Sequence, residues 1–84
     1  MLIDNRYRIE ETDDGKWLAQ DIQRGFVVQQ SLCSSLHRVL SRVIAWDLGG
    51  EHRFSRLFTD RARYLADEID REVRTYEDEN KVIL

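Results

Sequence analysis

Eighty-four residues with 13 basic and 16 acidic side chains, a formal net charge of −3 and 42% hydrophobic content make one small domain with no room for two. A single cysteine excludes an internal disulfide and suits a reducing compartment. No charged-then-apolar leader and no apolar run of about 18 residues is readable, so the chain is expected to be cytoplasmic, neither secreted nor membrane-spanning.

Residues 1–30 read as a β-meander. Leu2 and Ile3 are the entry to a strand. Residues 6–12 alternate, with Tyr7 and Ile9 on one side and Arg8 and Glu10 on the other, the pattern of a half-buried strand. Asp13-Asp14-Gly15 is a turn, and it fits two geometries. A two-residue type I′ turn puts Leu18 and Ile22 on the Tyr7/Ile9 face. A type I turn with a glycine bulge puts Trp17 and Ala19 there instead. The two registers differ by one residue, which exchanges the faces of every side chain. The second strand covers residues 16–22, Gln23-Arg24-Gly25 turns the chain, and residues 26–30 form a third strand of favourable composition.

Residues 31–48 read as the first helix. Leu32, Leu36, Val39, Leu40 and Val43 recur at helical spacing, with Trp46 extending the stripe. Ser31 is a candidate N-cap and Gly49-Gly50 a stop. Residues 54–79 read as a second helix, with Phe54, Phe58, Ala62, Leu65, Ile69, Val73 and Tyr76 in one stripe. Asp67/Arg71 and Asp70/Arg74 are acid-before-base pairs on its outer side. From 54 to 77 such a helix spans about 35 Å at 1.5 Å per residue, whereas a strand of five or six residues spans about 17–20 Å. Its far end therefore needs another surface. The expected architecture is α+β: a three-stranded antiparallel meander followed by two helices (βββαα). The tail 80–84 carries Val82, Ile83 and Leu84, which either add a short strand or dock on a partner subunit.

Charge is laid out unevenly. Residues 1–36 hold four cations and six anions, residues 37–63 hold six arginines against three acids, and residues 64–84 hold three cations against seven acids. Arginine dominates the cations, which favours forked contacts to carboxylates or phosphates. The middle is a basic island of Arg38, Arg42, Arg53, Arg56, Arg61 and Arg63. Its plain reading is solvated charge with a few bridges to Asp47, Glu51 and Asp60, and its functional reading is contact with a nucleic-acid backbone or an acidic protein. The acidic end, including Asp67, Glu68, Asp70 and Glu72, is either a solvated helix or a phosphate-mimicking face. Trp17 and Trp46 are candidate interface anchors, Trp46 more naturally core. Cys33 and His37 stand four apart, a metal-ligand spacing on a helix, but two ligands do not make a site. No cofactor, metal or catalytic set is expected.

The stretch YRIEETDDGKWLAQDIQRGFVVQQSLCSSLHRVL, within residues 6–45, resembles the partial RNase-H-like domain of HicB-type antitoxins. The shared features are a Tyr-x-Ile strand, an Asp-Gly hairpin, a Trp-x-Ala strand, a glycine before the third strand and a helix of spaced apolar residues. Two departures stand out: Gln23-Arg24 replaces the family's proline-containing turn, and the helix lacks the usual Gly-Asp-Thr/Ser and Glu-rich start. The resemblance implies a small protein that sequesters another by contact, commonly as a dimer. The family's RNA-cleaving toxin partner is not carried over. By type rather than motif, the chain is also similar to phage-encoded inhibitors of host defence, anti-CRISPR proteins among them.

The leading expectation is thus a non-catalytic protein–protein interaction module that blocks a nucleic-acid-processing partner. The alternative is a nucleic-acid-binding regulator that uses the basic island. A homodimer is expected through Phe58, Leu65, Ile69, Val73 and Tyr76, because leaving that stripe wet forgoes about 25 cal/mol per Å².

Overall fold

The computed structural model describes residues 1–50 and 57–80, and the side chains of 1–49 and 60–80. Among these residues the chain is α+β, with β1 (Leu2–Ile3), β2 (Tyr7–Glu11), β3 (Trp17–Asp21) and β4 (Phe26–Val27) followed by α1 (Leu36–Gly50) and α2 (Leu57–Glu79). The strands form one antiparallel sheet in the order β1-β2-β3-β4. The three expected strands are therefore four. The added strand is β1, joined to β2 by Asp4 and Asn5 at φ 57° and 50°, with the Arg6 amide donating to the Ile3 carbonyl at 3.0 Å. Positive φ at both central residues is the type I′ geometry, which Asp and Asn tolerate better than other side chains.

The β2–β3 hairpin settles the open register. Gly15 donates its amide to the Thr12 carbonyl at 3.0 Å and sits at φ 83°, a type I turn closed by a glycine bulge. Ile9 stands opposite Ala19 and Glu11 opposite Trp17. Tyr7, Ile9, Trp17, Ala19 and Asp21 all face inward, while Arg8, Glu10 and Gln20 face out.

Beyond β4 the chain stays beside β3 but does not pair continuously. Val28 donates to the Ala19 carbonyl at 2.9 Å, and Cys33 and Trp17 exchange both backbone bonds at 2.8 and 2.9 Å. Between them Gln29 and Gln30 loop out, with Gln30 at φ 58°. The Ser31 hydroxyl bridges the gap, accepting from the Ala19 amide at 3.2 Å and donating to its carbonyl at 3.1 Å. Ser31 is thus a buried ladder substitute rather than a helix cap.

The cap is Ser35, whose Oγ accepts the Arg38 amide at 3.2 Å. The first helix accordingly begins at Leu36, later than expected, and Leu32 lies outside it, 58% exposed. At the other end the helix runs through Gly49 to Gly50 rather than stopping before them.

α1 lies over β3, α2 lies over β1, and the two helices contact each other. Val39, Leu40, Val43 and Leu48 of α1 join Ile3, Tyr7, Ile9, Trp17, Ala19, Val28 and Leu65 in one core. Ile69, Val73 and Tyr76 pack against that core from α2. The far end of α2 finds its surface within its own chain: the Tyr76 ring meets Trp17 edge-on, centroids 5.6 Å apart. Trp17, expected as an interface anchor, is 9% exposed. The bulged hairpin turns it inward.

On the outer face of α2, Asp70 pairs with Arg74 at 3.2 Å as expected, but Arg71 pairs with Glu68 rather than Asp67. Phe54, Phe58 and the tail residues Val82, Ile83 and Leu84 lie outside the described side chains. Among the described residues no helix is long and apolar enough to cross a membrane.

Candidate functional site

A network of charge crosses the centre of the fold. Asp21, fully buried, accepts Arg6 Nε and Nη2 at 3.2 and 3.0 Å, Trp46 Nε1 at 3.0 Å and the Arg24 amide at 3.2 Å. Asp47, its side chain 4% exposed, accepts the Tyr7 hydroxyl at 2.6 Å and Arg61 through Nε and Nη2 at 2.8 and 2.7 Å. Arg6 reaches Asp47 at 3.6 Å. Arg61 also reaches Asp4 at 2.9 Å, and Asp4 accepts the Tyr64 hydroxyl at 2.6 Å.

The shifts follow from this geometry. Burial pushes the carboxyls of Asp21 and Asp47 up, but the bonds from Arg6 and Trp46 to one and from Arg61 and Tyr7 to the other outweigh it, so both lie below the ordinary value. Burial, together with the bond to Asp47, pushes the Tyr7 phenol up. Arg61 is raised by its bond to Asp47.

Strongly shifted groups often mark catalytic sites. Here their charge is spent on one another, and neither Asp21, Asp47, Tyr7 nor Arg61 lines a described concavity. Among the described residues no group of three or more His, Cys, Asp or Glu side chains could hold a metal ion. Cys33 precedes α1, so Cys33 and His37 do not share the helix turn their spacing suggested.

The concave surfaces flank α1. On the α2 side lies a groove of about 480 Å³, with Leu36, Leu40, Ile44, Ile69 and Val73 as its apolar floor and His37, Ser41, Asp70 and Glu77 on its rim. On the other side lies a cleft of about 670 Å³ between α1 and the looped-out segment, lined by Gln30, Leu32, Cys33, Ser34, Arg38, Ser41 and Arg42. A smaller cleft of about 230 Å³ adjoins it, where Gln29, Gln30, Arg42, Ala45 and Trp46 meet.

The expected site residues are thus dispersed. Arg38 and Arg42 are exposed and share one cleft, whereas Arg61 of the same basic island is drawn into the buried network and Arg53 and Arg56 lie outside the described residues. Asp67 and Asp70 are exposed on α2, Glu68 and Glu72 half-buried. Of the stripe assigned to a dimer, Leu65 is fully buried in its own chain's core, and Ile69 and Val73 form part of the groove floor. A further apolar set is exposed near β4: Ile22, Phe26, Val27 and Leu32.

The bridge from the basic island to Asp47 is present, made by Arg61, but the rest of the buried network was not anticipated. Apart from Arg24, three residues from Asp21, its partners stand 14 to 60 residues apart, beyond any local pattern. The one available signal was Asp21 falling on the inward parity of β3. No family model matches the chain, nor does any curated protein or any solved structure.

Proposed function

We propose that this chain acts by contact, as a small non-catalytic binding protein that docks on and blocks a nucleic-acid-processing protein. The observation that carries the reading is the groove between α1 and α2, where five aliphatic side chains are flanked on the α2 side by Asp70 and Glu77. Proteins that handle nucleic acid present cationic surfaces to phosphates. A cationic amphipathic segment complements this groove in both charge and hydrophobicity, its apolar side seating on Leu40, Ile44, Ile69 and Val73 and its lysines or arginines facing Asp70 and Glu77. The HicB resemblance points the same way, toward sequestration of a protein partner.

The test is capture with two baits followed by reconstitution. Wild-type chain and an Asp70→Lys/Glu77→Lys variant are each used to recover partners from the source cell. A protein held by the wild type and lost from the variant is purified, and its nucleic-acid binding is measured with and without this chain. Loss of that binding supports the reading. A partner retained equally by both baits, or one whose nucleic-acid binding is untouched, overturns it. A second copy of this chain is the rival occupant of the groove. Sedimentation equilibrium at tens of micromolar distinguishes it, because a dimer broken by Val73→Asp assigns the groove to self-association.

A further inference from the structure

We propose that the cleft on the loop side of α1 binds the backbone of single-stranded nucleic acid, with Arg38 and Arg42 holding phosphates and the Trp46 ring taking a base. This site is separate from the α1–α2 groove and does not rest on it.

The first ground is the lining. In a chain with more acids than bases, no carboxylate among the described residues lines this cleft or the smaller one beside it. The second is the state of the arginines. Arg6, Arg8, Arg61, Arg71 and Arg74 are each paired with a carboxylate. Among the described residues, Arg38, Arg42 and Arg63 are not, and of these Arg38 and Arg42 share a cleft. Arg42 takes the amide oxygen of Gln30 at 3.3 Å instead.

The third ground is that the fold builds the cleft. The positive φ of Gln30 carries the chain away from β3, and the Ser31 bridge and the Cys33–Trp17 pair hold it on both sides of the excursion. The space opened lies beside the N-terminal end of α1, whose dipole favours anions.

The geometry selects the ligand class. Arg38 and Arg42 stand one helical turn apart on the same helix, about 6 Å along its axis, and so offer two forks in series rather than a single pocket for one carboxylate. Trp46 continues the row: its ring lines the adjoining cleft with Arg42, and its indole N–H is anchored on Asp21 at 3.0 Å, which fixes its orientation. A cationic groove with an aromatic ring beside it is the combination that holds single strands without reading their sequence.

The experiment is a titration of the ¹⁵N-labelled chain with a ten-nucleotide oligothymidylate at 50 and 200 mM salt, with the Trp46 indole N–H resonance as a second readout. The expected result is saturable binding with amide shifts confined to residues 29–46. Each phosphate contact on a single strand contributes a salt slope of about −0.7, so two contacts weaken binding about seven-fold between the two salts. Arg38→Ala/Arg42→Ala abolishes binding, and Gln30→Glu, which sets a carboxylate against Arg42, weakens it without removing a cation. Arg71→Ala/Arg74→Ala on α2 leaves it unchanged. Binding that survives the Arg38/Arg42 double variant overturns the proposal. So does inorganic phosphate binding as tightly as the oligonucleotide, or a ten-residue polyglutamate competing equally, which reassigns the cleft to acidic proteins.

Discussion

The Tyr7 hydroxyl donates to Asp47 at 2.6 Å across 40 residues of sequence, joining the inner face of the sheet to the C-terminal half of α1. Asp47 holds Arg61 at the same time, so one carboxylate fastens β2, α1 and α2. Asp47→Ala leaves Arg61 and Arg6 short of a partner in a poorly hydrated site. Breaking a buried pair so that a charge is left uncompensated costs about 3–5 kcal/mol; Arg61 keeps Asp4 and Arg6 keeps Asp21, so a smaller loss is expected in urea unfolding. Tyr7→Phe removes only a bond to a charged group and is expected to cost about 1.5–3 kcal/mol. The two changes share an acceptor, so the double variant should cost less than their sum. Strict additivity would show that the bond carries no coupling.

Stability should depend on pH at both ends of the scale. Asp21 and Asp47 are held below the ordinary 3.8 in the folded chain, so below that value the unfolded chain binds more protons. Their contribution is complete above pH 3.8 and is lost as pH falls through the folded values. Tyr7 is raised from its ordinary 10.0, so its contribution is complete below pH 10 and is lost as pH rises beyond it. Urea midpoints from pH 2 to 11 should trace a plateau with two falling limbs. Tyr7→Phe should reduce the alkaline limb to the smaller part supplied by Tyr64, whose phenol is raised by its bond to Asp4. An alkaline limb that this variant leaves unchanged would refute the assignment to Tyr7.

Trp17 and Tyr76 close the far end of the core. Trp17→Ala opens a large void and is expected to cost about 3–5 kcal/mol. Phe26→Ser provides the contrast. Phe26 is 62% exposed on an outer strand, and its replacement should change stability by no more than about 0.5 kcal/mol. Denaturant midpoints measure both. A large loss at Phe26 would place that ring against something outside the described residues.

Ser31→Ala tests the bridged ladder. The substitution keeps the backbone path but removes both bonds to Ala19 in a site 1% exposed. Leaving a buried polar group unsatisfied costs about 1–3 kcal/mol. Faster hydrogen exchange at the Ala19 amide is the local signature, and unchanged exchange would show that the amide has another acceptor.

Much of this architecture was legible in the chain. The alternation around Tyr7 and Ile9, the spacing of Val39, Leu40 and Val43, and the stripe through Leu65, Ile69 and Val73 all locate the core, because one-sided burial imposes its period on sequence. The hairpin register was narrowed to two because Asp-Asp-Gly suits two turns of nearly equal local quality. Packing of Trp17 on Tyr76, 59 residues later, favours the bulged one. Ser31 and Ser35 look alike as caps in one dimension, and only the vacancy beside Ala19 separates their roles. β1 was missed as a strand because two residues carry no period, although Asp4-Asn5 is a readable type I′ turn. The candidate sites were legible as composition only. A run of arginines does not reveal that Arg61 points inward to Asp47 while Arg38 and Arg42 point out.

The outermost strands, β1 and β4, are two residues long, while the five-residue strands β2 and β3 lie between them. An exposed strand edge is a template on which other chains can grow. Here the long rows of amides and carbonyls are shielded from newcomers, and each rim offers too short a stretch to align an incoming backbone. Phe26 and Val27, bare on the rim, thus stand beside an edge that offers few backbone groups for pairing. Neighbours meet it side chain first, and backbone pairing along either rim ends after two residues.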